Sequence, residues 1–302
     1  MQCRKLALSF GIVWFGLGCG RPSELEPDNA GAGGHAGVSS GGAGGGSSSA
    51  SDAAIGGGTN GAADGSPDGA EEAASDRDAN APVQDGGLPP LPPGAYENSL
   101  GMRFVPVAGI TVLFSVWETR VRDYEAYAMA TNTPVPRPEF PEAPLQPKAS
   151  ISRAQAEAFA VWLTTSEQKT GNLRPNQKYR LPTDPEWDVA IEVGKTGGPY
   201  PWGAGFPPPD HFANYEISND GFEYTAPVGS FPANGLGLYD LAGNLWEWIG
   251  EGCTSGGAYL VRGAGWNAHN SPYFELGFHY CFSGDLVGHH NVGFRVVIDG
   301  SF

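Results

Sequence analysis

The chain has 302 residues, 46 of them glycine, and a net charge of −16. Lys and Arg are few and nowhere clustered, which excludes nucleic acid as a partner. The acidity is uneven along the chain, so the low overall charge says little about what the folded part recognises.

Met1–Cys19 carries Arg4 and Lys5 ahead of a mostly apolar run, Leu6–Leu17. A bilayer-spanning helix needs about 20 residues, so the run is too short to span and reads as a secretory signal peptide. Small residues, Gly16 and Gly18, precede Cys19, the pattern of a bacterial lipoprotein signal. The expectation is therefore an exported protein with a lipid on Cys19, anchored to a membrane in the periplasm or on the cell surface. Residues 20–95 follow as an acidic Gly/Ala/Ser/Pro-rich tether. Gly20–Pro93 holds eleven Asp or Glu against two Arg and has no hydrophobic period, so it cannot bury enough apolar surface to offset its ordering entropy. Pro89, Pro90, Pro92 and Pro93 form a stiff collar before the globular domain, residues 96–302.

Within that domain the periodicity predicts three helices. Glu118–Ala130 places Val121, Tyr124 and Ala128 at helical spacing. Ser152–Gln168 opens with a capping box, Ser152 and Gln155, and sets Phe159, Trp162 and Leu163 on one face. Thr183–Val193 opens with a second box, Thr183 and Glu186, and Gly194 is its stop. Strands are expected at Met102–Val107, Val112–Val116 and Phe294–Ile298. Pro199–Ser283 reads as mostly turns, rich in Gly, Pro and Asn, needing a metal, tryptophan packing or a disulfide to order it. Cys253 and Cys281 are the only cysteines in the domain, and in an oxidising compartment two such residues are expected to pair.

Several runs are recognisable. Tyr179–Trp187 is YRLPTDPEW, Tyr200–Gly203 is YPWG, and Asn219–Trp248 is NDGFEYTAPVGSFPANGLGLYDLAGNLWEW. Val261–Trp266 is VRGAGW and Gly293–Val297 is GFRVV, while GMRFVPV and WETRVRDYEAYA occur near the start of the domain. In this order and register they resemble the formylglycine-generating enzyme, or sulfatase-modifying factor, family. The resemblance implies an α+β fold related to C-type lectins, loop-rich, with few short strands and about three helices.

It also implies two structural calcium sites. One takes Asn214 and Asp220 through side chains and Tyr215 and Phe222 through carbonyls. The other takes Asp240 and Glu247 through side chains and Gly243 and Leu245 through carbonyls. All are oxygen donors, as a hard cation requires. The family's oxidases convert a sulfatase cysteine to formylglycine with copper(I) held by two cysteines five residues apart. Here those positions are Ala268 and Tyr273, and Gly265 replaces a nearby serine. Soft copper(I) wants thiolates, so copper is not expected. His269, His279, His289 and His290 fall close together, but their spacing fits no metal motif. Trp266, Asn267 and His269 neighbour the family's substrate groove. Two readings remain: a non-catalytic member binding a peptide, glycan or protein in that groove, or an active oxidoreductase or protein modifier using another metal.

Overall fold

The computed structural model describes residues 90–192, 197–216, 218, 220–253, 258–283 and 289–301. The signal peptide, Cys19, most of the tether and the expected helix stop at Gly194 lie outside these residues. The first sheet is built from β1 (Tyr96–Glu97), β2 (Arg103–Pro106), β3 (Leu113–Ser115), β4 (Lys178–Arg180) and β9 (Val297–Asp299). Its order is β1-β2-β3-β9-β4, so the C-terminal strand is inserted beside the N-terminal ones. The pairings are antiparallel, with Phe114 opposite Val297 and Tyr179 opposite Ile298.

Three α-helices are present, α1 (Val121–Thr131), α2 (Arg153–Thr170) and α3 (Asp184–Glu192). Both expected capping boxes form. Ser152 Oγ accepts from the Gln155 N–H while Gln155 Oε1 accepts from the Ser152 N–H. Thr183 and Glu186 do the same at α3. The first helix starts three residues later than its apolar period suggests. Thr119 instead donates its N–H to the Phe294 carbonyl and accepts from the Lys148 N–H, and Arg120 is extended, so these long-range bonds outcompete the local turn. Tyr124, Phe159 and Phe294 then stack into the main core, all nearly fully buried.

The expectation of a loop-rich fold with few short strands holds, and most of Pro199–Ser283 is turns and irregular backbone, but that stretch also contributes three strands that the sequence pattern does not place. With β8 (Val292–Gly293), these strands, β5 (Trp246–Gly252), β6 (Ala258–Arg262) and β7 (Tyr280–Ser283), make a second sheet in the order β7-β6-β5-β8. Trp246, Glu247, Trp248 and Ile249 are all buried, so β5 is covered on both faces and shows no alternation to read. Gly293 in β8 is required by contact: a Cβ there would meet Leu245 Cδ1 at 2.6 Å and the Lys148 carbonyl at 2.8 Å.

Cys253, just past β5, is bonded to Cys281 on β7, with Cα atoms 6.1 Å apart and a separation of 28 residues. A loop of that length implies a stabilisation of about 3–4 kcal/mol by restricting the unfolded chain. Urea unfolding with and without reductant is expected to differ by about that amount. Superimposable curves, with both thiols shown to be free in the reduced sample, would rule the contribution out.

Candidate functional site

The site is organised around Asn244, which sits at φ 67° just before β5. Its Nδ2 donates to Glu118 Oε2 at 2.8 Å, and its Oδ1 accepts from the Ala226 N–H and from Asn214 Nδ2. One amide thus ties three distant segments. Gly243 beside it has φ 89°, and a Cβ would lie 2.4 Å from the Asn214 carbonyl, so only glycine lets the two segments touch.

On one side of Asn244 lies a buried charge centre. Glu118, Asp240, Glu247 and Arg295 are all buried. The Arg295 guanidinium forks onto Glu247, with Nε to Oε2 and Nη2 to Oε1 both at 2.7 Å, and also donates to the Tyr239 and Asp240 carbonyls. Glu118 accepts from the Leu245 N–H, and Asp240 Oδ2 from the Gly229 N–H. Three carboxylates share one cation, so full ionisation would leave two uncompensated negative charges out of water, which is costly. The titration properties reflect this. Burial, then repulsion from Asp240 and Glu247, pushes Glu118 well above the usual carboxylate range. Burial raises Asp240 to about 6 and also raises Glu247, against the pull of Arg295.

On the other side lies the Asn214 set. Asp220 is buried, and its carboxylate accepts the Phe222 N–H at 2.8 Å and the Ser218 hydroxyl. No cationic side chain pairs with it among the described residues. Asn214 Nδ2 is spent on Tyr224 and Asn244 and its backbone carbonyl accepts the Asn244 N–H, leaving the side-chain Oδ1 without a donor among the described residues. The Tyr215 carbonyl takes the Ser218 N–H. Both sets therefore hold buried oxygen donors with excess negative charge, the chemistry that a hard divalent cation satisfies. Among the described residues no three His, Cys, Asp or Glu side chains are placed to hold a metal; these sets combine side chains with carbonyls.

Beyond β6 the chain turns through Gly265 to Tyr273. Ala268 is buried, and its carbonyl accepts the Glu216 N–H. Tyr273, in a one-turn 3-10 helix (Ser271–Phe274), packs edge-on against Trp246 at 5.6 Å and against Phe278 at 5.6 Å. A Cβ at Gly265 would come within 3.1 Å of Trp246 Cδ1 and 3.3 Å of Asn267 Oδ1 and Asn291 Cβ. The four clustered histidines take separate partners. His269 pairs with Glu216 at 2.9 Å and His279 faces Asp184 at 3.5 Å, while His289 lies against Phe282 and His290 against Trp266.

The sequence profile of the family described as "Sulfatase-modifying factor enzyme 1-like domain" matches residues 71–300. The chain belongs to this family. Among similar proteins, the formylglycine-generating enzyme of Mus musculus is 36% identical over 116 residues, 30% of this chain and 31% of that protein. The inactive C-alpha-formylglycine-generating enzyme 2 of Bos taurus is 40% identical over 129 residues, 40% of this chain and 38% of that protein. The chain thus spans roughly a third of these relatives' length. The structure of PvdO from Pseudomonas aeruginosa superposes with a TM-score of 0.54 at 23% identity, covering 63% of this chain and 80% of that one, and supports the shared fold.

Against that family background, the sequence motifs divide cleanly. Asp240, Gly243, Leu245 and Glu247 all belong to one turn and strand, and Asn214 bonds to the Asn244 hub while Asp220 bonds to Ser218 and Phe222. Glu118 and Arg295 were missed as site residues. They stand in the WETR and GFRVV runs, 177 positions apart; for Arg295 a charged residue inside an otherwise apolar run was the signal available, whereas Glu118 is followed by Thr119 and Arg120 and carries no such signal. Asn244 was missed for a different reason: a single Asn in a turn reads as a turn-former, and only its three partners reveal it as a hub.

Proposed function

We propose that this member of the sulfatase-modifying factor family binds a ligand rather than oxidising one, as an exported, lipid-anchored protein. The observation that carries the reading is the state of the family's copper positions. Ala268 is a buried methyl group, and Tyr273 is a phenol whose ring packs on Trp246 and Phe278. Neither supplies a thiolate, and both cysteines of the domain are consumed in a disulfide on another part of the sheet. Gly265 also lacks the hydroxyl of the family's serine, and a side chain there would press on Trp246, Asn267 and Asn291, which would have to give by a few tenths of an ångström. Similarity to a relative named as inactive supports the same reading. The experiment that tests it is copper(I)-dependent conversion of a sulfatase-type cysteine peptide, followed by mass.

Calcium is proposed as a structural ion at both sets. The Asp220 set would hold it through the free Asn214 side-chain Oδ1 and the Asp220 carboxylate; the Asp240 set would use it to offset its excess charge. A ligand bound only by the native state stabilises by mass action, so chelation is expected to lower the melting temperature. The pH dependence should also change sign. Without metal, native Asp240 keeps its proton to about pH 6, whereas the unfolded residue ionises near its ordinary value of 3.8. The native state then binds more protons across that window, and stability falls as pH rises from about 4 to 6, by on the order of 3 kcal/mol. Bound calcium favours the ionised carboxylates, so its stabilisation should grow over the same window. Melting curves at pH 4, 5 and 6 with chelator and with calcium decide the matter; identical curves would remove both ions.

A further inference from the structure

We propose that the cavity between residues 200–212 and residues 232–242 binds a small organic amine as its ammonium, a site that does not depend on the non-catalytic reading above. The cavity holds about 260 Å³, just under the roughly 300–1,000 Å³ of sites that take drug-sized ligands, so its occupant is small. Ile191, Trp202, Phe212, Leu238 and Leu241 give it apolar walls, and Asp240 also lines it. Gly265, Ala268 and Tyr273 do not. The walls are held before any ligand arrives. Trp202 stacks on Tyr200 with centroids 5.0 Å apart, meets Phe212 edge-on at 5.4 Å, and donates its N–H to the Gly205 carbonyl at 2.6 Å. In the other segment, Asn234 Oδ1 accepts from the Leu236 and Leu238 N–H groups while Nδ2 donates to the Ala190 carbonyl, which pins this turn to α3. A preformed cavity spares the ordering cost of binding.

Asp240 sets the chemistry. The residue is 7% exposed, and its carboxylate is bonded only through Oδ2, which accepts the Gly229 N–H at 2.7 Å. Oδ1 has no partner among the described residues, yet it is not among the unpaired polar atoms sealed inside the protein, so it opens onto the cavity that Asp240 lines. Nearby, Glu118 and Glu247 draw on the same Arg295 guanidinium, and Glu247 takes its fork, so negative charge is in excess here. No Lys, Arg or His lines the cavity among the described residues. An ammonium supplies the missing partner through a charge-assisted hydrogen bond. A ligand carrying carboxylate or phosphate would find no counter-charge, and a neutral one would leave the carboxylate oxygen unpaired away from water. A bare metal ion would leave the apolar walls uncovered. One ring or a short branched alkyl chain on the ammonium covers them, packing on Trp202 and Phe212. Such an amine offsets the same charge at Asp240 that calcium would offset, so the two exclude each other.

The full-length protein, in chelator at neutral pH, is to be titrated by calorimetry with phenethylamine, cyclohexylamine and isoamylamine, with the corresponding alcohols, and with hydrocinnamate as an anionic match. Saturable binding of at least one amine is expected, with its alcohol about tenfold weaker or more and no binding of the acid. Asp240→Asn should weaken the amine about tenfold or more. Ala233→Phe sets a ring in the cavity lining and leaves Asp240 in place. It should abolish amine binding with a melting temperature near that of the wild type, and it decides the matter if Asp240→Asn does not fold. Binding of no amine, equal binding of amine and alcohol, preference for the acid, or unchanged amine binding by folded Asp240→Asn or Ala233→Phe would overturn the proposal. Calcium added to the wild type should weaken the amine. If it does not, while Ala233→Phe still abolishes binding, calcium at Asp240 is rejected and the amine site stands. Formylglycine formation would reject the non-catalytic reading and leave this site as it is.

Discussion

Incubated with copper(I), oxygen and a sulfatase-type cysteine peptide, the wild-type protein is expected to leave the peptide's mass unchanged. Conversion of a thiol side chain to an aldehyde removes about 18 mass units, so a single spectrum reads the outcome. The expectation follows from ligand softness. Copper(I) is held by thiolates, while a methyl group offers nothing and a phenol is a hard, weak donor. Tyr273 is moreover committed to Trp246 and Phe278 by packing. Installing both thiols, Ala268→Cys with Tyr273→Cys, should raise copper(I) affinity. Turnover is not expected to follow, because Gly265 still lacks the hydroxyl of the family's serine. An 18-unit loss produced by the wild type would show that oxidation survives here without the cysteine pair.

Removing the guanidinium from the buried charge centre is the stability change with the largest expected effect. Arg295 is fully buried, and both oxygens of Glu247 bond to it. In Arg295→Met, Glu118, Asp240 and Glu247 lose their only neighbouring side-chain cation among the described residues. Breaking a buried pair from one side costs about 3–5 kcal/mol, a large share of a domain's stability. Urea unfolding measures the loss. Arg295→Lys keeps the charge without the two-pronged fork and should fall between, giving a readable value even if the Met variant does not fold. Adding Glu247→Gln to Arg295→Met should recover part of the loss, because an unpaired buried charge is what makes the single variant costly. A loss below about 1 kcal/mol in Arg295→Met would show that the centre is balanced by something other than this guanidinium.

The sequence determined the elements whose signal is local. Capping boxes at Ser152–Gln155 and Thr183–Glu186 set the starts of α2 and α3 through bonds spanning three residues. The motif runs carried the family, and with it the α+β fold. Strand β5 was not legible, because Trp246 to Ile249 are buried on both faces and leave no period of two. The start of α1 was misplaced for a related reason: the Thr119 backbone bonds to residues from distant parts of the chain. Only the tertiary structure decided that Glu118, Asn244 and Arg295 meet. Their contacts span 126 and 48 residues or more, and no local pattern encodes which buried carboxylate faces which amide. It also decided that position 265 is tight, since Trp246 of β5, Asn267 beyond β6 and Asn291 before β8 come within 3.3 Å of a Cβ there. Local chemistry fixes where an element begins, because its bonds are short-range. Which polar groups end up buried together is set by how the sheets and loops pack.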